Sequence, residues 1–219
     1  TSGLYGVVWT ETTASGSTVL AKVFDAEAAA QCDSLLLSSA TGYNSRPFIV
    51  RNSGSGGFWV VWETRTSPLV APDIQGRIIK PDGIIAGVAF AVASGTLQER
   101  QPVAAYNSDR DEMAVVYTAN TSFGVFDVYL LRFQASTAAF ISGTKLTNSS
   151  MEEESPAVAY DAARGEYLVA WSAKTVPGTE QRIRAVRVDG STGQAKSADF
   201  VLLDVSGMQR NVQLALDAN

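Results

Sequence analysis

Pro156-Ala157-Val158-Ala159-Tyr160, a turn at Asp161-Ala162-Ala163-Arg164-Gly165, then Tyr167-Leu168-Val169-Ala170-Trp171 reads as two short apolar strands around a polar reversal, the second closed by an aromatic residue. The pattern recurs. Pro102-Val103-Ala104-Ala105-Tyr106 leads to Met113-Ala114-Val115-Val116-Tyr117, and Pro47-Phe48-Ile49-Val50-Arg51 leads to Phe58-Trp59-Val60-Val61-Trp62. The aromatics that end the second strand, Trp9, Trp62, Tyr117 and Trp171, are spaced by 53, 55 and 54 residues. A basic residue on the third strand, Lys22, Arg77, Arg132 or Arg187, repeats at 55, 55 and 55. The opening prolines Pro47, Pro102 and Pro156 step by 55 and 54, and one further step lands on Asn211. Three markers in phase define a repeat, which takes precedence over any local reading.

Each complete unit predicts four strands: Phe48–Arg51, Phe58–Glu63, Ile74–Ile79 and Phe90–Ala93; then Val103–Tyr106, Ala114–Tyr117, Val128–Phe133 and Ser142–Leu146; then Ala157–Tyr160, Tyr167–Trp171, Ile183–Val188 and Phe200–Leu203. The N-terminal residues supply a second, third and fourth strand (Tyr5–Trp9, Val19–Phe24, Ser34–Ser38), and the tail Val212–Leu216 supplies a first strand without a second. Joining tail to head completes the pattern. The expected fold is therefore all-β, a four-bladed β-propeller whose first blade is closed by both termini. Its blades would span residues 1–40 with 208–219, then 41–96, 97–150 and 151–207. The strands are apolar on both faces, as blades stacked between neighbours require, and no helix is expected.

The Pro-x-Val-Ala-Tyr strand, Gly/Asp turn, Val-Val-Trp strand and following Gly-x-Arg-Ile or Ala-Val-Arg-Val-Asp-Gly resemble propeller-forming repeats of about 55 residues in secreted and surface-attached bacterial proteins. The best matches are Pro156–Trp171 with Arg184–Gly190 and Pro47–Trp62 with Gly76–Gly83. The resemblance implies an extracellular module and transfers no catalytic residue.

Composition narrows the function. The net charge of -5, with no run of Lys or Arg, argues against a nucleic-acid surface. No apolar run approaches the length of a membrane-spanning helix. The chain has no histidine, which removes the commonest general base and the Ser-His and Cys-His pairs. Cys32 is the one cysteine, so no internal disulfide forms. The start at Thr1 rather than Met marks a processed form or an excised segment. Sequons stand at Asn120 and Asn148.

Four sets of candidates follow. The pairs Trp9–Lys22, Trp62–Arg77, Tyr117–Arg132 and Trp171–Arg187 centre on hairpin loops (Ser15-Gly16, Leu69-Val70, Gly124-Val125, Thr179) and are expected to face each other across the second hairpin as structural contacts. Arg46, Arg100 and Arg210, with Tyr43, would crowd one axial mouth, where an anion or a carboxylated glycan could bind. Glu152-Glu153-Glu154 reads as a solvated loop, because adjacent carboxylates on an extended chain diverge. No metal or cofactor is expected, although an ion held by first-strand carbonyls in an axial channel would leave no sequence trace. Arg46, Arg100 and Arg210 with Tyr43 and Glu99 imitate part of a sialidase set, but the Ser-x-Asp-x-Gly-x-x-Trp turns are absent. The function expected is thus a non-catalytic, secreted or cell-surface adhesion or assembly module contacting a protein partner. The alternative is a lectin taking glycans or a carboxylated ligand at the axial mouth.

Overall fold

Polar turns every few residues and β-branched runs between them leave the chain no helical stretch, and the computed structural model is all-β. It describes residues 3–122, 125–175, 181–205 and 207–216, with strand side chains described except at Thr121, Ser122 and Thr175. Of the loop tips anticipated, Gly124 and Thr179 lie outside the described residues. Ala26–Ala30 forms a loop, pinned by Asp25, whose Oδ1 accepts the N–H groups of Glu27 and Ala29.

The chain divides into two compact units, Thr1–Pro102 and Val103–Asn219. The first contains a three-stranded sheet, β1 (Tyr5–Thr13), β2 (Gly16–Phe24) and β3 (Leu35–Leu36), in that order. It also contains a four-stranded meander of β4 (Tyr43–Arg51), β5 (Phe58–Arg65), β6 (Asp73–Ile79) and β7 (Ile85–Ala93). β8 (Glu99–Asn107) runs across the unit boundary. β8 is followed in order by β9 (Glu112–Ser122), β10 (Val125–Gln134) and β11 (Phe140–Lys145). A third meander follows, β12 (Met151–Asp161), β13 (Glu166–Thr175), β14 (Gln181–Asp189) and β15 (Phe200–Leu203). One parallel pairing, Phe126 with Glu152, joins the last two meanders into an eight-stranded sheet.

The middle strands are buried on both faces. Phe58 to Glu63 are six consecutive buried residues on β5. Trp62 packs with Val19, Ala21, Val23, Leu37, Phe58, Val60 and Ile79 in the first unit. Trp171 packs with Val116, Val128, Leu130, Tyr167, Val169 and Val186 in the second. Each unit therefore has a core of its own.

One device recurs at the head of the first strands. Arg46, Gln101, Ser155 and Asn211 have φ of 51°, 57°, 51° and 56°, the left-handed region that side chains other than glycine avoid. Three of the four precede proline. The ladders slip there: Ser45 faces Glu63 but Phe48 faces Val61, and Glu154 faces Ser172 but Ala157 faces Ala170. Two residues thus oppose one, a β-bulge, and the one is Trp62 or Trp171. Both indoles are fully buried with Nε1 unpartnered, so they serve as apolar fill behind the bulge.

Two expectations need correction. Residues 209–216 belong to no strand; Val212 and Leu214 lie against Leu168, Ala170, Ile183 and Ala185. The tail buries its apolar side chains on a sheet face without joining a ladder, so the first blade is not a closed four-stranded sheet. The basic residues of the third strand also do not sit opposite the aromatics. Arg77 faces Val60, Arg132 faces Ala114, Arg187 faces Leu168 and Lys22 faces Val7. A spacing centred on the loop ignored the turn's own register. Their charges go elsewhere: Arg132 and Arg187 to Glu112 and Glu166, Arg77 to the carbonyl of Leu37, and Lys22 over the ring of Phe24.

Candidate functional site

The bulges set the polar groups. Two residues before each left-handed residue stand Asn44, Glu99, Glu153 and Gln209. Burial of the first three is nearly complete. A buried polar group needs a partner or an explanation. Asn44 Oδ1, Glu99 Oε2 and Gln209 Oε1 have no hydrogen-bond partner.

In the first unit these groups border a set of charges centred on Glu63, which is 3% exposed. Ser45 Oγ donates to Glu63 Oε2 at 3.0 Å, and the Gln101 N–H donates to Oε1 at 2.8 Å. Arg46 Nε lies 3.6 Å from Oε1 and Arg65 Nη2 lies 3.8 Å from Oε2. The bulge at Arg46 turns that guanidinium toward Glu63, and the left-handed backbone of Gln101 aims its amide there. Tyr43, Asn44, Ser45 and Arg65, with Ser17 and Pro68, line a cavity of about 220 Å³ beside this carboxylate. Glu99 opens β8, two residues before the amide that holds Glu63. Its N–H donates to Pro72 O at 3.0 Å. Burial, against a lowering hydrogen bond from its own backbone and with Asp73 adding, pushes its carboxyl up to about 7. One carboxylate is thus clamped between cations and another is poised to hold a proton near neutrality.

The second unit contains two further groupings. Asp127 and Glu153 are both buried and meet through Thr147, whose Oγ1 lies 3.3 Å from Asp127 Oδ1 and is also hydrogen-bonded to Glu153 Oε2. Ser149 Oγ donates to Glu153 Oε1 at 3.0 Å, and Lys145 Nζ lies 2.9 Å from Asp127 Oδ2. Burial pushes Glu153 up to about 7; the two hydroxyls oppose this and Asp127 reinforces it. Separately, a cavity of about 380 Å³ is lined by Asp161, Arg164, Glu166, Arg187, Leu168 and the tail at Leu214–Leu216, among others. Hydrogen bonds from Arg187, with Lys196 assisting, hold Glu166 down at about 2. A carboxylate so held carries no proton at neutral pH, so it cannot serve as a general acid. Among the described residues no group of three or more His, Cys, Asp or Glu is placed to hold a metal ion.

The structure places Arg46 and Tyr43 at the first unit's carboxylate cleft and Arg100 beside Glu99 on β8. Arg210 is in the second unit, its Nε donating to Gln181 Oε1 at 2.8 Å. Glu63 was missed among the candidates, because nothing in Val-Val-Trp-Glu-Thr distinguishes it from a strand end. Glu152–Glu154 is not a loop but part of β12, and strand alternation turns Glu153 alone inward to 0% exposure. The signal that would have put Glu99 and Glu153 at equivalent positions was their shared phase with Asn44, two residues ahead of each left-handed residue.

No family model matches this sequence, and no curated protein does. Among solved structures, an endo-arabinase from Bacteroides thetaiotaomicron is similar with a TM-score of 0.58 and 10% identity, covering 92% of this chain and 77% of its own. A thermostable family-43 glycoside hydrolase gives 0.55 at 8% identity, over 93% and 78%. An alpha-L-arabinofuranosidase from Lactobacillus brevis gives 0.53 at 9% identity, over 89% and 71%. At such identities the likeness is one of fold, the β-propeller of these hydrolases. It nonetheless corrects the expectation of a non-catalytic adhesion module and of a chain without enzymatic activity. The solved structures that share this strand arrangement are glycan-cleaving enzymes, and the first unit holds two buried carboxyl groups, Glu63 and Glu99.

Proposed function

We propose that this chain is a carbohydrate-active enzyme that hydrolyses glycosidic bonds, with Glu99 as the general acid and Glu63 as the second carboxylate. The carrying observation is Glu99: a buried carboxyl with one free oxygen, raised to about 7, placed two residues from the amide that fixes Glu63. Glycoside hydrolysis needs one carboxylic acid to protonate the leaving oxygen and one carboxylate to attack or to activate water. Burial keeps Glu99 protonated enough for the first role. Arg46, Arg65, Ser45 and the Gln101 amide orient Glu63 for the second, and Arg46 is exposed enough to meet substrate. The fold supports the same reading, since arabinan- and arabinoside-cleaving enzymes share it. A glycan substrate outside the cell fits this chemistry, and we extend the proposal to a secreted location. We also propose that the repeats form four blades. No helix among the described residues is long and apolar enough to cross a membrane.

The test is release of reducing ends from arabinan, galactan and aryl arabinosides. Glu99→Gln and Glu63→Gln should each lower kcat by roughly 10²–10⁴-fold with melting temperature preserved. In the parent, kcat/KM should fall as pH rises through about 7, where Glu99 loses its proton. Hydrolysis undiminished in both variants would overturn the assignment.

A further inference from the structure

One parallel pairing, Phe126 with Glu152, is the whole ladder between β10 and β12. The next residue along each strand is a carboxylic acid, Asp127 at 1% and Glu153 at 0% exposure. Two acids therefore lie out of water at a single-rung join in the eight-stranded sheet. The segment between β11 and β12 is folded onto them. Thr147 Oγ1 accepts the Val128 N–H at 2.9 Å and reaches both acids, Asp127 Oδ1 at 3.3 Å and Glu153 Oε2 in a shorter contact. The Ser149 N–H donates to Asp127 Oδ1 at 3.0 Å. Ser149 Oγ donates to Glu153 Oε1 at 3.0 Å and accepts the Met151 N–H at 3.1 Å. The segment is thus tied to the join through these two side chains.

The surrounding charges match one ionised acid and not two. Lys145 from β11 lies 2.9 Å from Asp127 Oδ2 and offsets that charge. Among the described residues no cation contacts Glu153. On β13 the residue opposite it is Ala173, and the neighbouring Lys174 lies 4.0 Å from Glu152 instead. Glu152 and Glu154 flank it on its own strand. The residues of β9 that face Phe126 to Val128 are Asn120, Ala119 and Thr118, none of which ionises. The further ionisable group on β10 is Tyr129, near Lys145. An ionised Glu153 would set two like charges around one hydroxyl that has a single hydrogen to give.

We propose that this join is a proton-held latch: a hydrogen on Glu153 completes the chain of bonds through Thr147 to Asp127, and its loss opens residues 146–151 and the Phe126–Glu152 rung while the meanders on either side stay folded. The O–H bond of Glu153 is the one covalent bond that breaks, and its proton passes to water. Burial holds this carboxyl at about 7, and opening would return it to water and to about 4.5. Opening is therefore favoured progressively as pH climbs from about 4.5 to about 7, and levels off above. The latch is independent of the hydrolase reading.

Amide hydrogen exchange followed by NMR at pH 5 and pH 8, corrected for the intrinsic pH dependence of exchange, reads the latch at the N–H groups of Val128, Ser149 and Met151. Their protection should fall at least tenfold between the two pH values in the parent. It should stay level in Glu153→Gln, which carries a permanent donor at that place. Asp127→Asn removes the competing charge and should shrink the fall, and it carries the comparison if Glu153→Gln fails to fold. The β13–β14 ladder is the reference. A fall of equal size there would show global unfolding and overturn the latch. Protection at the three N–H groups that ignores pH, or that falls as far in both variants as in the parent, would overturn it too.

Discussion

Asp127 and Glu153 compete for one proton. The Thr147 hydroxyl accepts the Val128 N–H at 2.9 Å and has a single hydrogen to give, yet both carboxyls are within its reach. The arrangement balances if Glu153 itself holds a proton and donates it to Thr147, which then donates to Asp127. This agrees with the elevation of Glu153 to about 7 by burial. The linkage sign follows. An acid whose folded pKa is raised binds protons more tightly when folded, so its contribution is full below about 4.5 and is lost as pH climbs to about 7. Glu153→Gln mimics the protonated form. It should be more stable than the parent at pH 8, by on the order of 2 kcal/mol, and near parity at pH 4.5. Thermal melts at the two pH values check this, and equal differences at both would show that Glu153 is ionised in the folded protein. Glu99, raised for the same reason, adds a second contribution of the same sign.

At the scale of the strand, the third-strand arginines are ladder clamps. Arg132 reaches across to Glu112, with Nη2–Oε2 at 2.5 Å and both side chains less than a tenth exposed. Arg187 makes the same reach to Glu166 one repeat later, but its side chain is 49% exposed. Removing one partner of a buried ion pair strands the other charge, whereas an exposed pair is screened by water. Arg132→Met should therefore destabilise by about 3–5 kcal/mol, and Arg132→Met with Glu112→Met together by much less. Arg187→Met should cost visibly less than Arg132→Met. Denaturant unfolding of the four proteins settles the order. The repeat thus keeps a position and a charge while its energetic weight changes with burial.

At the scale of the molecule, each unit has its own core, and the tail attaches to the second by side-chain packing and by the Gln209 carbonyl, which accepts from Ser172 Oγ at 2.9 Å. Val212 and Leu214 cover Leu168, Ala170, Ile183 and Ala185. Ending the chain at Met208 removes that cover and should lower stability by about 2–4 kcal/mol, at about 1.5–3 kcal/mol for each fully buried aliphatic side chain discounted for their partial exposure. A melting temperature unchanged by the truncation would show that the tail contributes no packing.

The amino-acid sequence by itself determined the repeat, the all-β class and the strand positions. Apolar runs of four to six residues between Gly, Asp and Asn turns leave few other structures, and equal spacing puts each run in the same place in its meander. It did not disclose what depends on backbone direction. The left-handed residues Arg46 and Ser155 stand where the ladder shifts by one residue, and that shift decides which neighbour turns inward. Glu153 is buried within an acidic run that reads as solvated, and the register of the second hairpin brings the arginines to glutamates rather than tryptophans. Glu63 was likewise invisible in sequence, and Glu99 was legible only as a charge beside Arg100. Glu63 and Glu99 are 36 residues apart in the chain, and only tertiary folding brings the Gln101 amide to Glu63 and removes the water from Glu99.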